Sequence, residues 1–248
     1  MPICTTEGKP LRVGFVGAGM MAGAMIRGLV TSSTCSADNM IASDAYRPCL
    51  DTLAADLKMK VTDENTEVAN SADVVFIAVK PQQVQDVCAS IAKSGANPIV
   101  VSIAAGVTLD SLGGWLPTNC RIVRVMPNTP CMVGELAAGY APNAACSDAD
   151  AALVGSILGA LGTAFKEGSA PHTQEWCHRV APSVADHVEL ALRAGEGVRP
   201  RRCHWAIGLG PCIRECLRLR LDPRTHTASA LLVGTACMLV RGPACMGL

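Results

Sequence analysis

The chain has 248 residues, enough for one large or two modest domains, and half of them are apolar, enough for a sizeable core. Basic and acidic residues balance at 21 each. With no net charge there is no global field to draw in nucleic acid or an anionic membrane surface, and neither partner is expected.

The first predicted element is a strand at Val13–Val16, and a helix is predicted at Met20–Val30. Between them lies Gly17-Ala18-Gly19-Met20-Met21-Ala22. This is G-x-G-x-x-A between a strand and a helix, the context in which a glycine pattern signals dinucleotide binding. Gly17 permits a tight turn, Gly19 lets the backbone approach a pyrophosphate, and Ala22 lets the helix pack closely on the strand. Val16, Gly17, Ala18, Gly19, Met20 and Met21 are therefore expected to wrap the diphosphate at a helix N-terminus, where bare N–H groups and the positive dipole end meet the anion.

Further along, strands are predicted at Met40–Ser43, Val74–Val79, Ile99–Ile103 and Ile122–Val125. Helices are predicted at Pro48–Leu57, Pro81–Ile91, Leu109–Leu116 and Asp148–Leu161. Runs such as VVFIAV suit strands covered on both faces. The alternation predicts an α/β fold with a doubly wound, Rossmann-type parallel sheet. Pro81 suits a first helical turn, and Thr108 or Asp110 suits the cap of the helix that follows.

In such sheets ligands lie at the carboxyl ends of the strands. Ser43, Asp44 and Arg47 follow the second predicted strand. An acid there binds ribose hydroxyls and favours NAD, whereas an arginine accommodates the 2′-phosphate of NADP. Both signals are present, and a fork from Arg47 to a phosphate tilts the expectation to NADP over NAD. Asp44 has an alternative reading as a helix cap, and by its chemistry Asn65 reads as an N-cap. Ala78, Val79, Lys80 and Pro81 end one strand, with Lys80 placed to donate to a ribose hydroxyl or a phosphate oxygen. Ile103, Ala104 and Ala105 end the next, where small side chains let a flat nicotinamide lie near the backbone. Met126, Pro127 and Asn128 end the last, with Asn128 a donor to the carboxamide or the substrate.

The segments VGFVGAGMMAGAM, ADVVFIAVKPQQV, VVSIAAGVTLDSL and RIVRVMPNTPCMVGE resemble pyrroline-5-carboxylate reductases in order and approximate spacing, over about Leu11 to Leu161. The resemblance implies hydride transfer from a reduced nicotinamide to a cyclic imine, giving L-proline. It also implies contacts to the adenosine side by Ser43 and Asn65, and a helical C-terminal domain that builds a homo-oligomer. The alternatives are a related small-acid dehydrogenase and a cofactor-binding remnant without a substrate site. No catalytic side chain is assigned, because the family's substrate-side groups fall where the match lapses.

Composition changes near residue 166. Residues 1–166 hold all six lysines and carry 11 basic and 14 acidic groups, net −3. Residues 167–248 hold ten of the arginines and all five histidines and carry 10 basic and 7 acidic groups, net +3. Residues 1–165 are accordingly read as the nucleotide-binding domain, and 166–248 as a shortened, partly helical and divergent region. Two readings fit that region: an out-of-frame translation of a GC-rich gene, or a divergent domain with a basic patch. Ala228–Val240 resembles a family helix, and its apolar run is too short to span a bilayer. No basic segment followed by an apolar run opens the sequence, so no secretory signal is expected. Thirteen scattered cysteines read as reduced thiols of a cytoplasmic protein. Cys203, His204, Cys212 and Cys216 lack a paired C-x-x-C rhythm, so no metal site is expected. Cys131 reads as a buried thiol.

Overall fold

The computed structural model describes Ile3, Cys4, residues 8–127, Cys131 and residues 136–166. They fall within a unit spanning Met1–Ala170. Asn128 and every reading for residues 167–248 lie outside the described residues.

The elements in chain order are β1 (Val13–Val16), α1 (Met20–Thr31), β2 (Met40–Ser43), α2 (Arg47–Leu57), β3 (Lys60–Thr62), α3 (Asn65–Ser71), β4 (Val74–Ile77), α4 (Val84–Ser94), β5 (Ile99–Ser102), α5 (Leu109–Trp115), β6 (Ile122–Met126), β7 (Leu136–Pro142), α6 (Asp148–Gly159) and β8 (Gly162–Lys166). Short 3-10 turns at Ala37–Asn39 and Pro81–Gln83 precede β2 and α4. The strand order is β3-β2-β1-β4-β5-β6-β7-β8, parallel except where β7 runs against β6. The first six strands have the Rossmann order, whose direction of winding reverses between β1 and β4. Register sets Val16 beside Ser43 and Ile77, and Ile77 beside Ser102, so these strands finish on one edge.

Strands β1, β2, β4 and β5 are buried along their whole length. Their Val/Ile-rich sequences can afford this because helices cover both faces. On one face Phe15 and Phe76 stack with ring centroids 5.0 Å apart. Met25, Ile26 and Leu29 of α1, Leu50 and Leu53 of α2, and Val154, Ile157 and Leu158 of α6 belong to the same core. On the other face Val75, Ile77, Val100 and Ile122 share a core with Val68, Val87, Cys88, Ile91 and Leu112. Each fully buried large side chain contributes on the order of 1.5–3 kcal/mol.

The structure adds three strands that the sequence pattern does not announce. β3 has three residues and an exposed Lys60 at its start. β7 reads LAAGYAP, poor in the β-branched residues that mark strands, and is held by pairing on both sides. β8 begins at Gly162, where φ is +154° and an added Cβ would lie 2.1 Å from the Leu136 carbonyl oxygen. The helix expected over Asp148–Leu161 accordingly stops at Gly159. Two expected strands run too long: Val74–Val79 ends at Ile77, and Ile99–Ile103 at Ser102. The chain turns out of the sheet at these points, though Ala78 N still donates to Val16 O at 2.8 Å and Ile103 N to Ile77 O at 3.1 Å. The helix expected from Pro81 begins as a 3-10 turn, with α4 starting at Val84. Thr108, not Asp110, caps α5, accepting from Ser111 N.

Candidate cofactor site

β1 delivers the chain to the switch point, and Gly17 turns it. Its φ is +98°, its N–H donates to Ser43 O at 2.7 Å, and a Cβ there would sit 2.6 Å from the Ala78 carbonyl oxygen. Only glycine combines that dihedral with that approach. Ala18 N donates to Asp44 Oδ2 at 2.6 Å, pinning the turn to the end of β2. Gly19 is the N-cap of α1, with no side-chain cap, and a Cβ built on it meets nothing within 4 Å. The first helical bond runs from Gly23 N to Gly19 O at 2.8 Å. The N–H groups of Gly19, Met20 and Met21 therefore precede the hydrogen-bonded ladder and open to the edge. Ala22 is 1% exposed and packs α1 onto the sheet, while Met20 is 71% exposed. Open space, bare donors and a dipole end on one turn fit a bridging diphosphate.

On the β2 side, Ser43 is fully buried and its hydroxyl donates to Asn65 Oδ1 at 2.7 Å. Asn65 is the first residue of α3 and not its N-cap, which is Glu64. Asn65 is thus oriented by Ser43 and does not cap its own helix. Asp44 caps no helix with its carboxylate: Oδ1 accepts from Tyr46 N at 2.7 Å while Oδ2 holds the glycine turn. Arg47, expected to fork a phosphate, is itself held by two carboxylates, with Nε to Asp51 Oδ1 at 3.0 Å and Nη1 to Asp63 Oδ1 at 2.9 Å. Tyr46, which the sequence reading passed over, presents a 65% exposed ring on the same turn.

On the other side of β1, Ala78 and Val79 are part-exposed where the chain leaves β4, and Lys80 and Pro81 are exposed. Ile103 is part-exposed, Ala104 is buried and Ala105 is exposed after β5. The edge thus gathers Val16–Met21, Ser43, Asn65, Ala78–Pro81 and Ile103–Ala105, the expected set but for Asn128. Arg124 on β6, also passed over, stands beside Ser102, and its Nε is buried without a hydrogen-bond partner. A basic residue inside an otherwise apolar strand was the signal for it. Cys131 is 3% exposed, and burial pushes its thiol up to about 11, which suits an inert core thiol.

Fold and edge together define a Rossmann-type nucleotide-binding domain. Residues 12–106 match the family model described as NADP oxidoreductase, coenzyme F420-dependent. Pyrroline-5-carboxylate reductase of Methanosarcina acetivorans is 38% identical over 158 residues, which is 62% of this chain and 58% of that protein. The chain is thus similar to a pyrroline-5-carboxylate reductase over 62% of its length, and it spans less than two thirds of the length of this relative. A solved pyrroline-5-carboxylate reductase from Coxiella burnetii superposes with a TM-score of 0.64 at 24% identity, covering 95% of this chain and 87% of its own. The Plasmodium falciparum pyrroline carboxylate reductase, solved with NADP bound, gives 0.61 at 21% identity, covering 96% and 86%. At these identities the two structures bear on the fold alone.

Proposed function

We propose that the chain binds a reduced nicotinamide dinucleotide and reduces 1-pyrroline-5-carboxylate to L-proline. The observation that carries the reading is the glycine turn at the switch point, with bare N–H groups above Gly19 and a Gly17 that no other residue replaces. The 38% identity to a reductase of that name supplies the substrate class. When bound, the coenzyme supplies a hydride to the imine carbon, and the imine nitrogen carries the accompanying proton, so a C=N bond becomes C–N with two hydrogens gained. The chain's own part is to hold the diphosphate at Gly19–Met21, the adenosine side near Ser43, Asp44 and Asn65, and the nicotinamide side along Ala78–Pro81 and Ile103–Ala105. Those contacts fix the reacting carbon in place and lower the entropic cost of the encounter.

Within this reading residues 1–165 form the coenzyme domain, residues 166–248 a separate region, and the protein works in the cytoplasm. No helix among the described residues is long and apolar enough to cross a membrane. Assembly into a homo-oligomer, which the resemblance implies, is read by light scattering on the full chain.

Fluorescence titration with NADH and NADPH, followed by coenzyme oxidation with pyrroline-5-carboxylate and detection of proline, tests the proposal. Turnover to proline is the expected result, and failure of both coenzymes to bind overturns the reading. The compositional change after Lys166 favours a second reading, a coenzyme-binding remnant, for which binding without turnover is the signature.

A further inference from the structure

Resting on that reductase reading, we propose that Arg124 takes the carboxylate of the imine substrate, with Ser102 as a second donor beside it, so that the site selects ring imines that bear a carboxylate. The sheet sets the juxtaposition. Arg124 of β6 is the register partner of Ser102, the last residue of β5. Ile122 and Val100, two positions earlier on the same strands, belong to the core that α3, α4 and α5 cover. Side-chain alternation therefore puts Arg124 and Ser102 on that face together, on strands about 4.8 Å apart. Residues 103–105, on the nicotinamide side of the edge, follow Ser102 directly.

Both side chains hold unused donors. Ser102 is fully buried, and its Oγ accepts from Ala104 N at 3.4 Å, which leaves the hydroxyl hydrogen to donate elsewhere. Arg124 is part-exposed, with Nε buried and unpartnered. Arg12, Arg27, Arg47 and Arg121 each hold at least one aspartate, whereas no carboxylate among the described residues engages Arg124. A buried guanidinium nitrogen left without an acceptor is unfavourable, and a carboxylate is the group that relieves it. Where β4, β5 and β6 end, residues 78–83, 103–109 and 126–127 bring Lys80 and no acid. An arriving carboxylate meets no like charge on these segments. The planar guanidinium matches it bidentately, as the single ammonium of Lys80 does not. Holding the carboxylate fixes which ring carbon faces the hydride.

Calorimetric titration of the full chain, saturated with NADP, tests this without relying on turnover. The two probes are L-proline and pyrrolidine, the same ring without the carboxylate. Proline is expected to bind at least about tenfold more tightly than pyrrolidine. Arg124→Met should erase that ratio by weakening proline alone, and Arg124→Lys should keep part of it. Because Arg124→Met removes a charge that no described carboxylate balances, its melting temperature should not fall. A ratio kept in Arg124→Met, or proline and pyrrolidine weakened together, overturns the assignment. A lower melting temperature would mean that the fold itself balances the charge, and overturns it too. Proline that fails to bind the coenzyme-saturated chain overturns this inference while leaving the coenzyme site standing. Failure of NADP and NAD alike to bind overturns the reductase reading and this inference with it.

Discussion

Replacing Gly17 by alanine separates the two jobs of the glycine turn. At φ +98° an L-residue is strained, at a cost of roughly 1–3 kcal/mol. The new Cβ would lie 2.6 Å from the carbonyl oxygen and 2.7 Å from the carbonyl carbon of Ala78, and 3.0 Å from Val79 N. These are backbone atoms at the end of a buried strand, so no side chain can swing aside, and overpacking adds about 1–3 kcal/mol. The sum, about 2–6 kcal/mol, is a large share of the roughly 5–15 kcal/mol that holds a typical domain folded. With about 2–4 °C lost per kcal/mol for a domain of this size, melting should fall by on the order of 5–20 °C in far-UV circular dichroism. Gly19→Ala is the control. Its φ is −66° and its Cβ would meet nothing within 4 Å, so melting should stay within about 2 °C of wild type. Its added methyl instead fills the space reserved for the diphosphate, and coenzyme affinity should drop more than about tenfold, on the order of 1.4 kcal/mol. A Gly17→Ala protein that melts like wild type, or a Gly19→Ala protein that binds coenzyme undiminished, would refute this division of labour.

Ser147→Ala should lower stability by about 1 kcal/mol, seen as a melting drop of about 2–4 °C. It removes both the 3.1 Å bond from Asp150 N and the 2.6 Å bond from the Ser147 hydroxyl to Asp150 in the capping box of α6. Burial pushes the Asp73 carboxyl up, but its bonds with Arg12, from the guanidinium at 2.7 Å and the backbone N–H at 3.0 Å, outweigh burial and hold it below the usual range. A depressed folded pKa stabilises above the unfolded value of about 3.9 and is lost as pH falls through the folded one. Asp73→Asn should therefore lower stability at neutral pH and flatten its decline under acid, as followed by urea unfolding across the acid range. Cys35, Cys88 and Cys131 have thiols pushed by burial up to about 11, 12 and 11. In peptide-resolved mass spectrometry these three should escape iodoacetamide in the native protein near pH 8 and react fully once unfolded.

What the sequence made legible follows the strength of its periodic signals. Val13–Val16 and Met40–Ser43 carry hydrophobic runs bounded by turn residues, and both strands appear with the expected ends. VVFIAV looked longer than the strand it forms, because the apolar run continues through Ala78 and Val79 to the edge after the sheet has released them. β7 was illegible for the opposite reason. Its Ala, Gly and Pro residues have little strand preference of their own, and the strand exists because β6 and β8 pair on its two sides. Tyr140 fits there because Gly155 of α6 has no side chain, with a hypothetical Cβ only 2.5 Å from the tyrosine oxygen. Such a fit belongs to the tertiary structure and leaves no local trace.

The site divides along the same line. Gly17 was readable because its backbone geometry admits almost only glycine, and Gly19 because it stands at a fixed offset from Gly17 at the start of α1. Side-chain roles were less readable because a polar residue has several partners within reach and sequence does not rank them. The sequence offered Ser43 and Asn65 separately, with no sign that the buried Ser43 hydroxyl donates to Asn65. Arg47 was weighed for its charge alone. Its i,i+4 spacing from Asp51 was visible as a helical ion pair, yet Asp63 sits 16 positions on and reaches Arg47 only because β3 pairs beside β2. That pairing turns a cation with a free fork into one with two carboxylates already in it.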